Sequence, residues 1–297
     1  MKRQISEFIT GYSIEVTPKG AKKIERFSDY LKPFTPVYVT ALPGSNFFDT
    51  LDTCKRLAQE NMTPVPHFTA RGFKNHTDLE KAIGIASEEA GVKQVLALAG
   101  ANKHPSGKFS DTISMLQTGL FDKYGIHSIG IAGHPEGSPD IDGANLKTHK
   151  QQKIQFSEMT DIDMFMVTQF VFESQPIINW IERLREEGNL LPVRVGIPGI
   201  ASLKSLIQHA NACGVGASKI MLLKQAKNLH KLLSLQEPNK LIRELADYSA
   251  TKPESNIAGC HLYPLGGFVA TSKWQSNIAR GHFELTETDF KIDKKPA

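Results

Sequence analysis

The chain is short of the features that announce special chemistry. Its 297 residues hold three cysteines, Cys54, Cys213 and Cys260. They are odd in number and far apart, which excludes a disulfide framework and a zinc-type spacing and fits a reducing compartment. No apolar run approaches the roughly 20 residues of a membrane span. Met1-Lys2-Arg3 is not followed by the apolar segment of a signal peptide, so we expect a cytoplasmic protein. The formal charge is +4, and Lys and Arg are scattered with no basic stripe interleaved with aromatics. That speaks against nucleic acid as a partner, while a modestly basic chain can still favour small anions. No G-x-G-x-x-G follows a strand pattern, no G-x-S-x-G elbow occurs, and no strand ends in a lysine placed for a Schiff base. His67 and His134 belong to different strands and only Glu136 lies near either in sequence, so no metal site is expected.

What the chain does have is repetition. Phe165–Phe172 (FMVTQFVF) is an apolar run of a buried strand interrupted by one long amide, Gln169, and a helical pattern follows it. The same unit recurs. Strands are expected at 13–16, 36–42, 63–69, 94–99, 128–132, 165–172, 193–197 and 259–263. Helical patterns lie near 24–31, 48–61, 75–90, 111–124, 144–159, 173–187, 202–212 and 268–280. Two extra helical patterns, 217–235 and 238–249, precede the last strand. The first six strands start roughly 30 residues apart, the size of a strand-plus-helix unit. Alternation of this kind implies parallel strands with right-handed crossovers, and eight of them close into a (β/α)8 barrel. An open doubly wound sheet competes, but it would prefer a glycine-rich phosphate turn after an early strand. We expect one catalytic domain over 1–297, with a charged, loosely held tail over 283–297.

Active sites of such barrels lie at the C-terminal strand ends. Those ends carry Glu15, Thr40, His67, the loop 101–104, His134 with Glu136, Gln169, Pro198-Gly199 and Tyr263. Glu15 lies inside an apolar strand pattern, where a carboxyl tends towards a raised pKa that suits general acid work. Its plainer alternative is an ion pair with Lys19 or Lys22. Gln169 faces a ligand or else ties neighbouring strands together. His67 is a ligand contact or a packed histidine bonded to a carbonyl. His134 and Glu136 belong to a site or to a solvated loop. Tyr263 shares a strand face with His261 and is a core residue in its simplest reading.

Six stretches then resemble one family in its order: Ser13-Ile14-Glu15 with Pro18, Pro66–Thr69, Gly130–Pro139 (GIAGHPEGSP), Thr168-Gln169-Phe170, Ile197–Ile200 and His261-Leu262-Tyr263. Together they are similar to methylenetetrahydrofolate reductases, over about residues 12–265. The resemblance implies a flavin-containing (β/α)8 barrel that moves a hydride between NADH or NADPH and the one-carbon unit of tetrahydrofolate. It implies that Glu15 is the general acid that opens 5,10-methylenetetrahydrofolate to its iminium. It gives Gln169 the folate ring, with Thr40, Ser13 and Tyr263 as smaller substrate contacts. His67, the position of Ala101 and the loop at His134 would touch FAD. Asp142 would bind the flavin's ribose region, and Lys150 or Lys153 a phosphate. A homo-oligomer, dimer or tetramer, is implied as well.

The departures are specific. Where the family's fourth strand ends in Arg-Gly-Asp, this chain has Ala99-Gly100-Ala101; its fifth-strand Tyr is His134, the following loop His is Ser138, and the last-strand loop Arg is Gly267. Loss of an acidic group near an isoalloxazine implies a raised flavin potential, and loss of several contacts implies weakened FAD binding. Two other functions stay open: a flavin-free pterin-binding barrel that transfers a methyl group, and a folate binder without chemistry. A binder gains little from a buried acid such as Glu15.

Overall fold

In the computed structural model the described residues are 1–102, 104–138, 143–213 and 232–293. Eight strands form a closed barrel: β1 (Ser13–Val16), β2 (Pro36–Val39), β3 (Thr63–Thr69), β4 (Gln94–Leu98), β5 (Ser128–Gly133), β6 (Asp163–Thr168), β7 (Val193–Pro198) and β8 (Ile257–Tyr263). They run in sequence around the barrel, and β1 meets β8 to close it. The pairs β1–β2, β2–β3, β3–β4, β4–β5 and β7–β8 are parallel. The expected barrel is therefore the observed one. Its strands read as continuous apolar runs because both faces are covered, as in β3, where five consecutive residues from Pro64 to Phe68 are buried.

The intervening helices are α1 (Lys2–Ile9), α2 (Phe47–Gln59), α3 (His76–Ala90), α4 (Thr112–Leu116), α5 (Gly143–Glu158), α6 (Ser174–Glu186), α7 (Leu203–Cys213), α8 (Asn239–Thr251) and α9 (Phe268–Ala279). Their ends carry ordinary signals. Asn46 and Asn75 cap α2 and α3 with their side-chain oxygens, and Gly91 ends α3 in the left-handed conformation.

Several expected boundaries move, each for a physical reason. The helix expected over 24–31 is a short helical turn at Pro18–Ala21 and a single 3₁₀ turn at Phe27–Asp29. This loop is held from α2, where Arg56 donates to the carbonyls of Ala21, Ile24 and Glu25 and lies over the Phe27 ring. The helix expected over 111–124 is broken at Gly119, whose φ of 70° starts a second short helix, Leu120–Lys123. α1 was not expected; two apolar residues one turn apart, Ile5 and Ile9, are all that its buried side contains. β6 stops at Thr168, short of the expected end at Phe172. The segment from Phe283, expected to be loosely held, instead forms an antiparallel hairpin, β9 (Phe283–Leu285) with β10 (Phe290–Ile292). Phe283 and Phe290 are fully buried there, which anchors it. The helical pattern expected over 217–235 lies largely outside the described residues.

Contacts group the chain into two compact units. One comprises Ser13–Ala132 and Ala144–Met166; the other comprises Met1–Tyr12, Gly133–Gly143 and Val167–Ala297. Among the described residues no helix is long and apolar enough to cross a membrane, and no group of three or more His, Cys, Asp or Glu could hold a metal ion.

Candidate active site

In the unit that begins at Ser13, β1 to β3 bring three of the expected residues together. Glu15 sits one residue from the end of β1, in register with Tyr38 of β2. His67 stands on β3, and its Nε2 lies 3.6 Å from Glu15 Oε2. The His67 side chain is 8% exposed and that of Glu15 19%, so the pair is enclosed without being sealed. The Tyr38 ring meets the imidazole edge-on at 6.1 Å, and its hydroxyl accepts from Gln94 Nε2 at 3.0 Å. Strand alternation puts Tyr38 on the same face as Thr40. The sequence reading did not single out Tyr38, although its spacing from Thr40 was the available signal.

Thr40 lies just past β2, its N–H donating to Val16 O at 3.1 Å. Its hydroxyl is buried and finds no hydrogen-bond partner among the described residues. The ionic neighbour placed beside Glu15 is His67. Ser13 is fully buried at the first residue of β1, two positions below Glu15 on the same strand face.

A cleft of about 230 Å³ opens over the ends of β2, β3 and β4. Its walls include Pro43, Gly44, Phe47, Thr69, Gly100 and Ala101. Gly100 has a φ of 91°, and a Cβ there would stand 3.0 Å from Thr69 Cβ, so this turn favours glycine. No charged side chain lines the cleft among the described residues. Arg71, close by, spends its guanidinium on the carbonyls of Ser110 and Asn102. The described donors thus fit a flat, uncharged ring with hydroxyl and backbone contacts, and no cation for a diphosphate is among them.

Lys150 and Lys153 lie half-buried on α5. Burial pulls the Lys153 amine below the usual lysine range, against the opposing charge of Asp111. Burial alone would raise the Asp111 carboxyl, but the Ser114 N–H and the Ser110 and Ser114 hydroxyls, with His149, bring it below the usual range. Asp111 is thereby committed to capping α4. Asp142 lies outside the described residues.

In the other unit the end of β6 gathers Gln169 and Tyr263. The Tyr263 hydroxyl donates to Thr168 O at 2.9 Å, and its ring packs edge-on against His261 at 4.7 Å and Phe170 at 5.4 Å. Tyr263 therefore braces β6 with the hydroxyl that a substrate contact would use. Gln169 is partly exposed, and its Oε1 accepts from Phe170 N–H at 3.0 Å. His261 is fully buried; desolvation, with Arg194 acting the same way, pushes its pKa down to about 3, so the ring is neutral at physiological pH. His134 follows β5, half-buried, with its carbonyl accepting the Gly137 N–H in a turn.

The family model described as methylenetetrahydrofolate reductase matches residues 1–246. Methylenetetrahydrofolate reductase 1 of Schizosaccharomyces pombe is 30% identical over 175 residues, 56% of this chain and 26% of that protein. Methylenetetrahydrofolate reductase 2 of Saccharomyces cerevisiae is 30% identical over 92 residues, 30% of this chain and 14% of that protein. The matched stretches thus span about a quarter or less of these curated relatives. Among solved structures, a Yersinia pestis DHPS with a pterine-sulfa conjugate aligns at a TM-score of 0.46 and 13% identity, covering 91% of this chain and 92% of its own. By the family match over residues 1–246 of 297, the chain belongs to the methylenetetrahydrofolate reductase family.

Proposed function

We propose that the chain interconverts 5,10-methylenetetrahydrofolate and 5-methyltetrahydrofolate, with NADH or NADPH as the hydride partner. The observation that carries this reading is the enclosed Glu15–His67 pair. Opening the five-membered ring of the substrate requires a proton at the departing nitrogen. A carboxyl held beside an imidazole gives that proton two adjacent sites, which suits a group that must donate and then be recharged. Gln169 orients the pteridine, and Thr40 offers a buried hydroxyl with no competing protein partner among the described residues.

FAD, when bound, supplies the hydride relay between the nicotinamide and the one-carbon unit. Its ring would be held by the cleft residues Thr69, Gly100, Ala101 and Phe47, with His67 and His134 as further contacts. Lys150 or Lys153 would meet the phosphates and Asp142 the ribose region. The lack of a charged side chain among the described lining residues supports weak flavin retention. The same lining favours a second reading, a pterin-binding barrel that works without flavin. The proposal extends to a homo-oligomer, dimer or tetramer, acting in the cytoplasm; sedimentation velocity tests the assembly.

Two measurements test the reading. A flavin absorption band that bleaches on anaerobic addition of 5-methyltetrahydrofolate supports it, whereas purified protein that takes up no added FAD moves the flavin-free reading forward. Glu15→Gln is expected to lower folate turnover by about 10²–10⁴-fold, the range of a general acid, while nicotinamide oxidation by an artificial acceptor persists. Unchanged folate turnover would remove Glu15 from the chemistry.

A further inference from the structure

Barrel interiors are filled by layers of side chains, mostly branched aliphatic ones. In the unit that begins at Ser13 one layer departs from this. Phe68 meets Phe47 of α2 and Phe121 on the helix side of β3, so its neighbour His67 points into the barrel. Glu15 stands in register with Tyr38, and Tyr38 with Val65, two residues before His67 on the same face. His67 is opposite Leu96, and that register carried back two residues sets Gln94 beside Val65. The layer therefore holds Glu15, Tyr38, Val65 and Gln94, and His67 stands in the next layer towards the C-terminal strand ends. Val65 is short, and Tyr38 and Gln94 meet across it: Gln94 Nε2 donates to the Tyr38 hydroxyl at 3.0 Å. That bond joins β2 to β4 over two strand spacings, roughly 10 Å.

Two leucines would fill this space without adding polar groups that need partners. What Tyr38 adds is a rigid arm held at both ends, by its backbone in β2 and by its hydroxyl on Gln94. Between those ends its ring meets the His67 imidazole edge-on, with centroids 6.1 Å apart and planes at 79°. His67 Nε2 stands 3.6 Å from Glu15 Oε2, so a modest turn of the imidazole would part the two. Tyr38 has no exposed surface and is absent from the described walls of the cleft, so it does not touch a ligand.

Resting on the reading of Glu15 as the general acid, we propose that Tyr38, anchored by Gln94, is the positioning residue that keeps the His67 imidazole on Glu15. It acts on folate turnover through that carboxyl and not through substrate binding.

The test measures folate turnover by the full-length chain with NADH or NADPH and added FAD. Tyr38→Leu is expected to lower kcat about 10–100-fold at unchanged KM, the scale of a catalytic group displaced by about 1 Å. Tyr38→Phe keeps the ring and lowers kcat only about 2–10-fold, the equivalent of one hydrogen bond. Gln94→Leu removes the same bond from its other end, so the double variant Tyr38→Phe, Gln94→Leu is expected to be no slower than either single one. Residues that act as a unit are not additive. In a Glu15→Gln background each of these losses is therefore expected to vanish, and the same fold losses in both backgrounds would make Tyr38 a packing residue and overturn the proposal. Should Tyr38→Leu not fold, Tyr38→Phe and Gln94→Leu carry the same comparison. Imidazole ¹⁵N chemical shifts of His67 read the pair without any ligand. They are expected to respond to Glu15→Gln in the otherwise wild-type chain and to respond less when Tyr38→Phe or Gln94→Leu is present; equal responses overturn the proposal. A response of the expected kind in a chain whose folate turnover is untouched by Glu15→Gln overturns the general-acid reading and leaves the holding role of Tyr38 established.

Discussion

Acidification will destabilise this fold through His261, by an amount that can be worked out from its surroundings. The imidazole is fully buried on β8, against the Tyr263 ring and under the influence of Arg194, and its pKa is pushed down to about 3. A histidine in an unfolded chain titrates near 6.5. Between those two values the unfolded state binds the proton and the native state does not. Stability contributed by the neutral ring is therefore complete above pH 6.5 and is lost as the pH falls towards 3, at up to about 1.4 kcal/mol per pH unit. Moving from pH 7.5 to 4.5 crosses two units of that window, a loss of about 3 kcal/mol. Urea unfolding at pH 7.5, 5.5 and 4.5, followed by circular dichroism, measures it. Carboxylates such as Asp111 add their own pH dependence, so the comparison is with His261→Gln and His261→Leu, which keep every other titrating group. The variants should be less stable at pH 7.5, and the gap to wild type should narrow by about 3 kcal/mol at pH 4.5. Parallel pH profiles for wild type and both variants would refute the reasoning.

Other expectations are simpler. Gly196→Ala sets a methyl group against the backbone of Thr168 and Gln169, so we expect a loss of about 1–3 kcal/mol or more in urea unfolding; a variant as stable as wild type would mean that this backbone relaxes freely. Thr40→Val removes a buried hydroxyl with no partner among the described residues, so stability should hold or rise by about 1 kcal/mol while the KM for the folate rises; unchanged KM would take Thr40 out of the site. Ala101→Asp restores a carboxylate at the wall of the cleft and should lower the potential of any flavin bound there; a redox titration showing no change would count against a ring at that wall.

Much of the barrel was legible because its strands are covered on both faces and read as apolar runs bounded by Gly and Pro. Glu15 was legible for the same reason, as a carboxyl out of place in such a run. The end of β6 at Thr168 was not, because the Thr168 hydroxyl is engaged by the N–H of Gly196, which lies 28 residues further along and looks like any other strand glycine. An unbroken apolar run therefore suggested a strand to Phe172. Tyr263 was expected to touch substrate, and only the three-dimensional pairing with Thr168 O reveals its bracing role. The apolar spacing around Ile24 and Phe27 imitates a helix, yet these residues are anchored one by one on α2 by Arg56. The hairpin of β9 and β10 escaped notice because two phenylalanines among charges carry its whole buried face.

The unit that holds Gln169 begins with α1 and is completed by α8 and α9. Ser6 Oγ donates to Ile278 O, Gln275 Nε2 to Ile9 O and Cys260 Sγ to Phe8 O, so the opening residues are tied to segments made more than 250 positions later. A ribosome adding roughly 5–20 residues per second needs on the order of ten to fifty seconds to supply those partners. During that wait Ile5 and Ile9 have nothing to pack against. The native arrangement of this unit therefore forms only after those later segments have been synthesised.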